Sequence, residues 1–141
     1  MLNMFDKIIL NFEKYGLHDA TMNNVELYQD GLNLIFDNGI YLLDENGKEK
    51  NLTGKCNIEL KISNFDCKNI LEKIEINRIY KRKISELNLE EFLKLLNKGN
   101  FEIEYNFVSN FNNIILLKGF IGKNKFEFLV SDIVELKLNF I

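Results

Sequence analysis

"YQDGLNLIFDNGIYLLDENG", residues 28–47, carries three turn dipeptides at short intervals: Asp30-Gly31, Asn38-Gly39 and Asn46-Gly47. Each can supply the positive φ angles of a tight hairpin turn. Between them lie "LNLIF" and "IYLLD", short, apolar and partly β-branched, which is a strand signal. Upstream, "TMNNVELYQ" supplies a first strand. Downstream, "GKCNIELKISNF" alternates, with Cys56, Ile58, Leu60 and Ile62 on one face and Asn57, Glu59 and Lys61 on the other. That period of two marks a half-buried strand. The stretch therefore predicts an antiparallel meander of about four strands.

Working outward, the N-terminal "MFDKIILNFEKYG" places Met4, Phe5, Ile8, Ile9, Phe12 and Tyr15 at helical spacing. This predicts an amphipathic helix over about 4–15, ended by Gly16 in the left-handed conformation. A fifth strand is expected in "EKIEINRIYKRKI", where Ile74, Ile76, Tyr80 and Ile84 share a face with Arg78 and Arg82. A second helix, about 88–98, starts at Asn88, with Glu91 three residues later completing a capping box. Leu89, Phe92, Leu93 and Leu96 form its apolar stripe. In "FEIEYNFV", Phe101, Ile103, Tyr105 and Phe107 alternate with Glu102, Glu104 and Asn106. "IILLKGFI" is apolar on both faces and belongs centrally in a sheet. "FEFLV" returns, and "IVELKLNFI" closes with Val134, Leu136, Leu138 and Phe140 inward. The expected fold is α+β: one domain over 1–141, a curved, mostly antiparallel sheet or partly open barrel of about eight or nine strands, with two helices packed on it.

Composition fits that picture. The 141 residues are 46% hydrophobic and 28% charged, enough apolar surface to escape disorder. A chain this long buries about two-thirds of its unfolded surface without help from metal or disulfides. The net charge of −3 gives no electrostatic reason to expect nucleic acid or an anionic membrane as partner. No apolar run reaches the roughly 18 residues that span a bilayer. The N-terminus reads as a helix and not a secretory signal. Cys56 and Cys67 are accordingly expected as reduced, cytoplasmic thiols.

Few residues suggest chemistry. The chain has one histidine, His18, with Asp19 directly after it. A general base oriented by a carboxylate is one reading. The other is a structural corner: Leu17 anchors it, His18 sits near a helix end, and Asp19 turns the chain through its side-chain hydrogen bonds. The corner reading is favoured, because an acid next in sequence to a histidine usually points elsewhere. Cys56 falls in the inward register of its strand, where a thiol is a small hydrophobe. One His and two Cys without a short Cys-x-x-Cys pair make a poor zinc set. "DENGKEK" lacks the acidic spacing of a calcium loop and reads as a turn. No Gly-rich phosphate loop is present. The reading therefore assigns no catalytic residue, metal or cofactor.

The least ordinary stretch is "RIYKRK", residues 78–83, which holds both arginines of the chain. A charged edge strand that resists edge-to-edge pairing accounts for it. A partner-binding stripe of Arg78, Tyr80 and Arg82 is the functional reading, since Arg and Tyr are favoured at interface hot spots. Glu102 and Glu104, with Glu127 or Glu135, form the acidic counterpart. His18 and Asp19 join the candidate partner-binding residues.

"GLHDATMNNVELYQDGLNLIFDNGIYLLDENG" resembles small bacterial immunity-type proteins encoded beside polymorphic toxins. The likeness rests on Leu17-His18-Asp19 followed by alternating apolar positions, with Ala20 where a serine is expected. It implies a non-catalytic binder that neutralises one protein toxin by covering a surface. The expected function is thus a small cytoplasmic binding protein, an immunity-like inhibitor. A barrel-like carrier of an apolar ligand, lined by some of the twelve phenylalanines, is the second reading. A small hydrolase using carboxylates is the third.

Overall fold

The computed structural model describes residues 14–64, 70–109 and 113–141. Thirteen strands form three antiparallel sheets among these residues. They are β1 (Tyr15–Gly16), β2 (Thr21–Met22), β3 (Asn24–Tyr28), β4 (Gly31–Phe36), β5 (Tyr41–Leu43), β6 (Glu49–Leu52), β7 (Cys56–Ile62), β8 (Ile74–Tyr80), β9 (Lys83–Leu87), β10 (Phe101–Ser109), β11 (Ile114–Ile121), β12 (Asn124–Val130) and β13 (Ile133–Phe140). A single helical turn, α1 (Ile70–Lys73), leads into β8, and α2 (Leu89–Lys98) joins β9 to β10. The six-stranded sheet has the order β2-β10-β11-β12-β8-β9, the four-stranded sheet β13-β7-β4-β3, and the smallest β1-β5-β6. The fold is broadly α+β and mostly antiparallel. It is not a closed barrel, and the described residues alone hold more strands than expected.

The expected helix over 4–15 lies outside the described residues except at its end. There Tyr15 and Gly16 are a strand, paired with Leu42 and Tyr41. Gly16 does not serve as a left-handed helix stop, because the chain is already extended at Tyr15. The meander is also corrected. β3 and β4 form a hairpin, but β4 then pairs with β7, and β5 leaves for the smallest sheet. The Asn38-Gly39 turn, with Gly39 at φ 85°, redirects the chain between sheets instead of closing a hairpin. "TMNNVELYQ" breaks at Asn23, so that β2 pairs with β10 while β3 pairs with β4. Asn46-Gly47 behaves as read: Gly47 has φ 78°, and the Asp44 carboxylate accepts from the Asn46 and Lys48 amides at 2.8 and 2.9 Å. The Asp30-Gly31 hairpin turns one residue earlier than expected, since Tyr28 pairs directly with Gly31. Gly31 is needed there for closeness: a Cβ would stand 1.8 Å from the Leu60 carbonyl oxygen of β7.

"EKIEINRIYKRKI" is a hairpin, not one strand. Tyr80 pairs with Lys83 across the turn Lys81-Arg82, with Lys81 at φ 55°. α2 forms as read. The Asn88 side chain accepts from the Glu91 amide and the Glu91 carboxylate accepts from the Asn88 amide. Leu89, Phe92 and Leu96 are buried, and Phe92 packs on Phe101, Phe126 and Phe128 of the six-stranded sheet. Leu32, Leu34, Phe36, Ile58, Leu60 and Leu136 of the four-stranded sheet join the same cluster, so both sheets share one core.

Two bulges displace the predicted faces. In β10, Ile103 lies opposite Gly119 but Tyr105 opposite Lys118, which leaves Glu104 as an extra residue. Phe101 and Ile103 are buried as expected, while Tyr105 and Phe107 are 48% and 45% exposed. A bulge moves every later side chain to the other face. In β13 the register shifts between Ile133 and Glu135, so Ile133 is buried and Val134 is not. Leu136 is buried as read, and Phe140 reaches the surface beside Tyr15.

Candidate functional site

The turn between β1 and β2 supplies the first part of the site. Leu17 and Ala20 are buried, and the Ala20 amide donates to the Leu17 carbonyl at 2.9 Å. His18 and Asp19 stand exposed at its tip. Asp19 turns the chain by adopting φ 68°, and not through side-chain hydrogen bonds to the backbone. The Asp19 amide donates to the Ile103 carbonyl at 2.8 Å, and the Ile103 amide donates to the Ala20 carbonyl at 2.9 Å. Leu17-His18-Asp19 is therefore a corner clamped onto β10.

That clamp brings acids together. His18 Nδ1 lies 3.0 Å from Glu49 Oε1 and 3.1 Å from Asp19 Oδ2. Glu49 arrives because β6 pairs with β5, which pairs with β1. Nothing in the sequence pattern couples residues 18 and 49. Glu102 and Glu104 follow on β10, and a shallow concavity is lined by Asp19, Thr21, Glu102, Ile103, Glu104 and Phe120. The hydrogen bond to Glu49 raises the His18 pKa above its ordinary 6.5; desolvation opposes it, and the negative charges of Asp19, Glu49 and Glu104 add to the rise.

The sign follows from linkage. A pKa raised on folding means that protonated His18 favours the fold. Its contribution is present below the unfolded pKa and is lost as pH rises through the folded one. His18 is largely solvated, so screening keeps the stability effect small, and titration is the clearer readout. NMR titration of the His18 ring is expected to give a midpoint above 6.5, and Glu49→Gln is expected to lower it. An unchanged midpoint in Glu49→Gln would show that the contact is not made.

An imidazole held by carboxylates can act as an oriented base, and the ligand atoms of His18, Asp19 and Glu49 lie within 4.8 Å of one another. All three side chains are exposed to solvent, however, and among the described residues no thiol joins them. Cys56 is buried, and burial pushes its thiol pKa up, against hydrogen bonds from Thr53 and Ile40. Cys67 lies outside the described residues.

The second predicted set sits at the far end of the same sheet. Arg78 is on β8, where its Nη2 donates to Asn124 Oδ1 at 2.7 Å. Tyr80 is 60% exposed, with Lys81 Nζ 5.6 Å from its ring centre. Arg82 is in the hairpin turn and not on the strand. With β11 and β12 between β10 and β8 in the sheet order, the basic and acidic sets do not pair across strands. Glu127 pairs instead with Lys118 at 3.5 Å, and Glu135 belongs to the four-stranded sheet. That sheet has a polar outer face, where burial first, then Glu59, Asp30 and Glu135, push the Tyr28 pKa up to about 12.

Between the two ends runs the outer face of the six-stranded sheet. Its cross-strand rows read Glu102–Phe120–Lys125–Ile79–Ile84, Tyr105–Lys118–Glu127–Asn77–Glu86 and Phe107–Leu116–Leu129–Glu75. Lys118 Nζ sits 5.6 Å from the Tyr105 ring centre. The face is thus an apolar and aromatic platform crossed by fixed charges and acidic at the β2–β10 end, whereas Arg78, Tyr80 and Lys83 fall in the register of the buried Phe126 on the other face. Sequence alternation placed Tyr105 and Phe107 in the core, and only the bulge at Glu104 puts them outside. Among the described residues, no helix is long and apolar enough to cross a membrane. Compared with protein-family models, curated proteins and solved structures, the chain matches none.

Proposed function

We propose that this chain is a non-catalytic binding protein that docks one protein partner on the outer face of its six-stranded sheet. The supporting observation is the meeting of His18, Asp19, Glu49, Glu102 and Glu104, from three separate segments, at one end of a face that carries the half-exposed Tyr105 and Phe107 further along β10. Aromatic side chains within a charged surround are the usual composition of an interface hot spot. The acidic end favours a partner surface that is basic, and the fixed charges orient it. An immunity-like inhibitor that covers a toxin's surface in the cytoplasm is the specific version that the Leu17-His18-Asp19 likeness suggests. The carrier reading draws less support, because Phe92, Phe101, Phe126 and Phe128 pack on one another in the core. The hydrolase reading draws less too, because the acids converge at an exposed corner.

Co-expression with the product of the adjacent gene tests this. The expected result is a co-eluting complex or protection from growth arrest. The combination Glu102→Lys, Glu104→Lys should abolish it, and Tyr105→Ala should weaken binding about thirtyfold, the cost of losing a hot-spot residue. Lys137→Glu, on the four-stranded sheet, should leave it unchanged. No complex and no protection overturns the proposal, as does a complex indifferent to the changes at 102, 104 and 105.

A further inference from the structure

We infer that β9 is a self-association edge: two copies of this chain pair their β9 strands antiparallel about a twofold axis at Ile84, joining two six-stranded sheets into one. This surface lies apart from the acidic corner, so the inference does not rest on the binding function proposed above.

β9 is the last strand of its sheet, and its other side is unpaired among the described residues. Such an edge presents a row of free amide and carbonyl groups. Two of the usual defences are missing. The chain contains no proline, and the pairing of β8 with β9 runs without a bulge from Tyr80–Lys83 to Ile76–Leu87. The two-residue turn makes Tyr80 and Lys83 a hydrogen-bonded pair, and such pairs alternate along an antiparallel ladder. Lys83, Ser85 and Leu87 therefore spend their backbone groups on β8, while those of Ile84 and Glu86 point away from the sheet.

The remaining defence is charge, and here the charges suit a second copy. In a twofold antiparallel pair, facing residues lie on the same side of the sheet, so the register number must be even. An axis at Ile84 sets Ile84 against its copy and Lys83 against Ser85, and it brings the turn residue Arg82, just beyond the start of β9, level with Glu86 of the second copy. Ile84 is 68% exposed. Arg82 and Glu86 make no ion pair or side-chain hydrogen bond among the described residues. Ile84 already faces Ile79 across β8. The seam would thus extend an apolar row, Ile79–Ile84, into the same row of the partner, flanked on both sides by an Arg–Glu pair. Moving the axis to Ser85 would instead set each Ile84 against a Glu86. The two Lys83 side chains lie diagonally across the seam and oppose it, so the dimer is weak and dissociates on dilution.

Sedimentation velocity of the full chain over a broad concentration range tests this. The expected result is a reversible monomer–dimer equilibrium. Ile84→Pro removes the outward amide at a position where an edge strand tolerates proline, and it should abolish dimerisation. Glu86→Arg should weaken association about tenfold by turning the two attractive contacts between Glu86 and the turn residue Arg82 of the other copy repulsive. Adding Arg82→Glu should restore it, which separates pairing from any fault in folding. Lys83→Ser should tighten association a few-fold. A chain that stays monomeric at its solubility limit overturns the inference. So does a dimer that survives Ile84→Pro, or an equilibrium that the Arg82–Glu86 exchange fails to recover. Partner binding at the acidic corner is read separately, with Glu102→Lys, Glu104→Lys, and neither result decides the other.

Discussion

Phe92→Ala is expected to lower the free energy of unfolding by about 3–5 kcal/mol. Phe92 is fully buried, and it is the one side chain through which α2 meets three aromatic rings at once. Its ring centre lies 5.7 Å from Phe101, 5.8 Å from Phe126 and 5.5 Å from Phe128. Those partners come from β10 and β12, so truncation removes the packing that seats the helix on the sheet and not only the transfer free energy of one ring. Three neighbouring rings held by their own strands cannot collapse into the gap, which puts the cost at the upper part of the range for this change. Lys94→Ala, on the exposed side of the same helix, should stay within about 0.5 kcal/mol. Urea unfolding reads the difference as a lower midpoint with an unchanged slope. A loss below about 1 kcal/mol for Phe92→Ala would mean that the cluster is not packed as described.

What the sequence disclosed follows the range of the interaction. Period-two alternation in Cys56–Ile62 and the capping box of Asn88 and Glu91 are local, and both are found where they were read. The central place of "IILLKGFI" was legible from its two apolar faces, and β11 does lie between β10 and β12. Pairing was less legible. Asp-Gly and Asn-Gly dipeptides mark a change of direction, but they do not say whether the next strand returns to the same sheet. β4 and β5 separate after Asn38-Gly39 for that reason. The turn at Lys81-Arg82 was hidden by its chemistry, because a lysine at φ 55° occupies a position where glycine or asparagine is the usual signal. The site was legible in part. His18, Asp19, Glu102 and Glu104 were singled out from sequence, whereas Glu49 entered through strand pairing across a third sheet, and Tyr105 and Phe107 through a bulge that alternation cannot foresee.

Those gaps bear on function because both surfaces argued above depend on breaks in the regular pattern. A β10 without its extra residue would keep Tyr105 and Phe107 in the inward register and leave the platform without its aromatics. A continuous strand over residues 74–84 would leave no β9, and the edge of the sheet would be β8. Local irregularity is what separates this surface from that of a generic two-faced sheet.

Gly119→Ala should therefore affect both stability and binding. A Cβ at Gly119 would stand 2.0 Å from the Glu102 carbonyl oxygen, 2.9 Å from its carbon and 3.0 Å from the Ile103 Cα. These are backbone atoms, so no side-chain rotamer relieves the overlap, and either β10 or β11 must move. β11 is flanked by strands on both sides, whereas β10 has only the two-residue β2 beyond it, so β10 yields. Overpacking typically costs 1–3 kcal/mol, and a clash between central backbones belongs at the top, about 3 kcal/mol or more. The displacement carries Glu102, Ile103 and Glu104 with it. The Asp19–Ile103 and Ile103–Ala20 hydrogen bonds that clamp the His18 corner are then strained or lost. The expected result is a lowered unfolding midpoint together with a His18 titration shifted back toward its ordinary value, as Glu104 moves and the corner loosens. Gly122→Ala serves as a control, because its Cβ would meet nothing within 4 Å; its positive φ of 62° costs about 1–2 kcal/mol without disturbing β10. Equal losses in the two variants, with His18 unmoved in both, would show that Gly119 acts through backbone entropy alone and that the bulge does not hold the corner in place.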